Sequence, residues 1–188
     1  LRIAGECRCD RARDLELRPQ FLDGLNGIAE RPACREIERY RHGGKLAELI
    51  GKHVTTPGIH GTAIPRLSLI RANHPTTATP AVYEASLCLI AQGTKRVSVG
   101  DHSLIYDAAR YLLVSVDLPL VGHVLEASPE APYLCCKIDL DLSALADLIL
   151  AEGNAAAHAN APMLAVYPGD PDLIDAACRL VGLLGRPE

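Results

Sequence analysis

Between Tyr83 and Asp141 short apolar runs alternate with turn residues, and no other feature restricts the fold of this chain as much. The runs are SLCLIAQ, KRVSV, HSLIYDA, YLLVSV, LVGHVLEA and YLCCKIDLD, each the length of one strand. Turns recur at intervals of about 8–12 residues, the spacing of an all-β barrel or sandwich. Gly93 and Gly100 supply positions that reach positive φ without steric cost, while Asp117 to Pro119 and Ser128 to Pro132 supply prolines that cannot donate to a central ladder. A small barrel fills its interior with side chains or holds one small ligand there.

The flanks read differently. Leu46, Ala47, Leu49 and Ile50 repeat at helical spacing before Gly51, which predicts a short amphipathic helix over one barrel end. LSLIRA after Pro65 predicts another strand, and NHPTTATP a polar linker. Beyond Asp141, Ser143 is the expected N-cap of ALADLILAEG, stopped by Gly153, and Asp170 or Asp172 opens a second helix, PDLIDAACRLVGLL, ended by Gly185. MLAVY between them predicts a short extended piece. In the second helix Leu173, Ile174, Ala177, Leu180, Val181 and Leu184 form a stripe that Ala176, Cys178 and Leu183 widen, so it is expected to have more than one neighbour.

Several ordered motifs carry a resemblance. Gln92-Gly93, Gly100-Asp101, Tyr106-Asp107, Ser115 to Pro119, Ala127-Ser128 and Pro132 to Leu134 follow one another as in the N-terminal regulatory domain of AraC-type bacterial transcription regulators. Roughly Lys45 to Arg186 resembles that domain. The resemblance implies a mainly β fold, a cupin-like double-stranded β-helix barrel with flanking α-helices at both ends. It also implies an effector-sensing role, pairing of two subunits through helices near the end of the domain, and DNA contact through a helix-turn-helix domain that this chain lacks. The expected division is a poorly defined extension over 1–44 and the sensing and dimerisation domain over 45–188, trimmed from a longer protein. Leu173, Ala177, Leu180, Val181 and Leu184 are the expected contacts of a homodimer.

Composition narrows the alternatives. A chain of 188 residues with a formal charge of −4 has no electrostatic footprint for nucleic acid. Its seven cysteines are odd in number, its apolar runs are too short to span a membrane, and its start has no signal-peptide pattern, which together predict a reduced, cytoplasmic protein without a membrane partner. Arginine is concentrated between Arg2 and Arg41, interleaved with acids, in a stretch with little from which to build a core.

No metal or other cofactor is expected. Alternation in a strand puts i and i+2 on one inner face, so a metal-binding barrel of this kind needs His-x-His with further ligands, whereas His102 and His123 stand alone. Cys7-x-Cys9 has no second pair, and Cys34 is isolated. Ser115, Asp117 and His123 have the residue types of a hydrolase triad without a nucleophile elbow, and Asp117 reads better as a turn cap. In YLCCKIDLD alternation places Cys136 inward and Cys135 on the polar face. Cys88, Tyr106, Ser115, His123 and Cys136 are therefore the expected wall of a pocket for an unidentified small-molecule effector. The alternatives are a cupin-like enzyme acting on a small metabolite and a dimerisation module with a filled barrel.

Overall fold

Runs that are apolar in one phase become strands with one wet face, and runs that are apolar in both phases become a sheet covered on both sides. The computed structural model describes residues 34–151 and 162–185. Its elements are α1 (Cys34–His53), β1 (Gly58–Gly61), β2 (Leu67–Ala72), β3 (Thr79–Tyr83), β4 (Ser86–Gln92), β5 (Thr94–Val99), β6 (His102–Asp107), β7 (Arg110–Val114), β8 (Leu118–Glu126), β9 (Tyr133–Asp139), α2 (Leu142–Ala151), β10 (Leu164–Pro168) and α3 (Pro171–Gly182), with a 3-10 turn over Leu183–Gly185. Two antiparallel sheets result, one in the order β1-β2-β9-β4-β7-β10 and one in the order β3-β8-β5-β6. The fold is mainly β and cupin-like, with flanking helices.

The core has two layers. Cys88, Ile90, Leu112, Val114, Tyr133 and Cys135 of the larger sheet meet Val97, Tyr106, Leu120 and Val124 of the smaller one. On its other face the larger sheet packs Leu67, Leu69, Leu89, Leu134 and Cys136 against Leu46 and Ile50 of α1 and Ile174, Ala177, Cys178 and Val181 of α3. Each fully buried Leu, Ile or Val here contributes roughly 1.5–3 kcal/mol. Because β4 and β9 are central and buried on both faces, neighbouring residues along them belong to different layers.

Several boundaries differ from expectation. Helix α1 runs past Gly51 to His53 and crosses the expected boundary after residue 44. β3 takes part of the stretch expected to be a linker, and its Pro80 is tolerated because β3 is an edge strand, paired only with β8. The cap of α2 is Asp141 rather than Ser143, its Oδ1 accepting from the backbone N–H groups of Ser143 and Ala144 at 3.1 Å. Asp170 caps α3, accepting from Asp172 and Leu173. No residue of α2 is buried, and Leu142, Leu145, Leu148, Ile149 and Leu150 are exposed. Among the described residues no helix is long and apolar enough to cross a membrane. Cys7, Cys9 and Gly153 lie outside the described residues.

The breadth of the α3 stripe has an intramolecular explanation. Ile174, Ala177, Cys178 and Val181 are buried against α1 and the sheet, so α3 already has two neighbours. Ala177 and Val181, two of the expected dimer contacts, are 3 % and 0 % exposed and are covered within the chain. Leu173, Leu180 and Leu184 pack on the same cluster and remain partly open.

Candidate functional site

The polar groups between the sheets begin with a lysine. In β5, Lys95 shares its phase with the buried Val97, and it pairs across to Val124 of β8, also buried between the sheets. The pleat therefore turns Lys95 inward. Its Nζ stands 5.3 Å from the centroid of the Tyr83 ring and 6.0 Å from that of Tyr133. Gly122, in phase with Leu120 and Val124, makes room for this, since a Cβ there would lie 2.7 Å from the Tyr83 hydroxyl and 3.4 Å from Lys95 Cε. Lys95 and Tyr83 keep part of their surface open while Tyr106 and Tyr133 are fully buried, so the polar cluster extends from the core toward solvent.

Two hydroxyls in this cluster lack partners. Those of Tyr106 and Tyr133 are buried, and although they lie near each other and near the Cys135 thiol, neither meets a group in hydrogen-bond geometry. Leaving a buried polar group unsatisfied costs about 1–3 kcal/mol, so such groups in a well-packed core call for a reason. Burial first, and the neighbouring thiols second, push both phenols well above their ordinary pKa. Cys88 shares a hydrogen bond with Cys135 that raises the Cys88 thiol, with burial acting in the same direction, and lowers the Cys135 thiol. Burial is the strongest influence on the Lys95 ammonium and acts downward, but Tyr83, Cys135 and Cys88 together outweigh it and hold its pKa above the usual value. The arrangement is one cation beside two buried hydroxyls and a pair of thiols.

The five expected wall residues separate. Cys88 and Tyr106 lie between the sheets. Cys136 does not: it sits under the helices, where burial pushes its thiol up to about 12, and Cys135, expected on a polar face, is the one turned between the sheets. Both phases of β9 are buried from Tyr133 to Cys136 because both faces of its sheet are covered, and Lys137 and Asp139, which share the phase of Cys135, made that phase read as the polar face. His123 pairs with Arg96 on the phase opposite to Lys95 and Val124, which is the outer face of the smaller sheet. The Ser115 hydroxyl lies 3.2 Å and 3.3 Å from the backbone oxygens of Pro162 and Met163, joining the end of β7 to the approach to β10. Asp117 accepts the backbone N–H of Ala85 at 3.2 Å, so it braces the entry to β4. Ser115 and Asp117 are thus committed to main-chain groups, and the triad does not assemble. Among the described residues no group of three or more metal-ligating side chains comes together. Lys95, Tyr83, Tyr133, Cys135 and Gly122 were missed; the signal for Lys95 was its phase with Val97 and Val99.

No curated protein matches the chain. Among solved structures, ToxT from Vibrio cholerae aligns with a TM-score of 0.44 and 11% identity over 61% of this chain and 46% of that one. A structure of wild-type ToxT from strain SCE256 with unsaturated fatty acid bound gives 0.43 and 9% over 63% and 46%. YcfD, a ribosomal oxygenase from Escherichia coli, gives 0.31 and 17% over 69% and 39%. The chain spans about half the length of the ToxT structures it matches. The family described as AraC-type transcriptional regulator N-terminus matches residues 63–188, which takes in every strand from β2 to β10 and the helix that closes the sheet. By that match the chain belongs to the AraC-type transcriptional regulator N-terminal family.

Proposed function

We propose that this chain is an effector-binding domain: a small molecule is held between the two sheets and shifts their packing against α1 and α3, altering how a DNA-binding domain outside this chain meets its site. The observation that supports this most is the polar cluster around Lys95, a set of unsatisfied groups in an otherwise apolar interior of a regulator's N-terminal domain. A ligand produces such a shift only through different affinities for two arrangements. Pairing of two copies is a further part of the reading. Along α3 and the 3-10 turn that follows it, pairing would have to rest on Leu173, Leu180 and Leu184 with the exposed Leu183.

A thermal-shift screen of small metabolites tests the binding reading. A compound at about 100 times its Kd stabilises the folded state by about 2.7 kcal/mol. At least one compound should raise the Tm of the parent chain and lose that effect in Gly122→Ala, where a methyl group would fill the space beside Tyr83 and Lys95. A screen without such a compound rejects the reading.

A further inference from the structure

We propose that the molecule held between the sheets carries a negatively charged head, a carboxylate being the simplest case, received by Lys95 with the hydroxyls of Tyr106 and Tyr133 as neutral donors. This rests on the reading that the interior binds an effector, and it adds the chemical class. Two lysines of the sheets contrast in their partners. Lys137 on β9 is ion-paired with Asp139. Lys95, among the described residues, has no carboxylate within ion-pair distance.

The groups that do face Lys95 come from five strands: Tyr83 of β3, Cys88 of β4, Tyr106 of β6, Val124 of β8, and Tyr133 with Cys135 of β9. Tyr106, Tyr133 and the Cys88 thiol are held in their neutral forms, and Lys95 meets no carboxylate: its polar neighbours are Tyr83 and the Cys135 thiol, with the faces of the Tyr83 and Tyr133 rings beside it. A partly buried charge without a counter-ion is costly, and each unsatisfied hydroxyl adds to that cost. An anion resolves all three deficits together, whereas a neutral ligand would leave the ammonium unpaired and a cation would be repelled. Because the ammonium keeps its proton at neutral pH, Lys95 acts as an electrostatic partner and not as an amine nucleophile. Ile90, Leu112 and Leu120 of the same interior offer an apolar surround for a compact carbon body behind the head.

The probes are butyrate, hexanoate and octanoate, each against its primary amide, which keeps the shape and removes the charge. Titration calorimetry and thermal shift at pH 7 on the whole chain should find a carboxylate that binds at least tenfold more tightly than its amide. Lys95→Met should abolish the difference. Tyr106→Phe and Tyr133→Phe should each weaken the carboxylate severalfold without lowering the Tm of the ligand-free protein, since the hydroxyl removed has no partner to lose. Amides that bind as well as the acids would leave interior binding intact and overturn the anionic class. Carboxylates that fail to bind, or bind Lys95→Met unchanged, overturn it as well. If Lys95→Met does not fold, the acid-amide pairs and the two tyrosine variants decide.

Discussion

Gly93 occupies a backbone position that a side chain cannot share. Its φ is +86, and a Cβ would approach Glu126 O to 2.6 Å and Tyr133 Cα to 3.1 Å, both of them backbone atoms. Gly93→Ala should therefore lose roughly 1–2 kcal/mol to the left-handed conformation and roughly 1–3 kcal/mol more to the forced contact, read as a lower urea midpoint. Asp141 gives a pH signature. Its carboxylate accepts the backbone N–H of Ala144 and lies beside Arg66, which hold its pKa below the ordinary aspartate value. A lowered folded pKa means that the contribution is complete above the unfolded value and is lost as pH falls through the folded one. Denaturation at a series of acid pH values should show a shallower loss of stability in Asp141→Asn than in the parent. At this scale the strand run HSLIYD was legible as a strand, and its Tyr106, expected in the wall of the interior, lies between the sheets. Cys136 lies under the helices because YLCC is buried in both phases, while Lys137 and Asp139 made the Cys135 phase read as polar, and His123 lies one residue out of phase with the inward Val124.

Among the elements, the turn chemistry carried most of the information. Gly93 lies between β4 and β5, Gly100 between β5 and β6, and Pro129 to Pro132 between β8 and β9, whereas Pro119, expected in a turn, lies inside β8; LSLIRA coincides with β2. β3 was hidden because TPAVY has a proline and sits at an edge, where pairing to one neighbour suffices. The helices were visible as periodic stripes, but periodicity states how wide an apolar face is and not what covers it. For α3 the cover is α1 and the larger sheet, and this changes what a charge in its stripe should do. Leu180→Glu removes a partly buried leucine from that layer and should destabilise the monomer by roughly 2 kcal/mol. A lower Tm is the expected result, and an unchanged Tm would remove Leu180 from that layer.

For the molecule as a whole, charge predicts behaviour more directly than fold does. With a net charge of −4 the isolated chain should give no competitor-resistant shift of DNA in a gel at moderate salt, and a tight shift would relocate the DNA-binding function into this domain. Fold class and family were legible because both follow from the order of strands and turns, whereas the binding site was legible only in part because it depends on which side of each strand faces which layer. That same ambiguity has a mechanical meaning. Along β9, Cys135 touches the space between the sheets and Cys136 touches the packing of α3, so one peptide unit separates what a ligand would press on from what a helix rests on. Interiors this dense compress little. Under the proposed reading a displacement of β9 would have little slack in which to dissipate, and the middle of the larger sheet would work as a diaphragm with a listener on its far side.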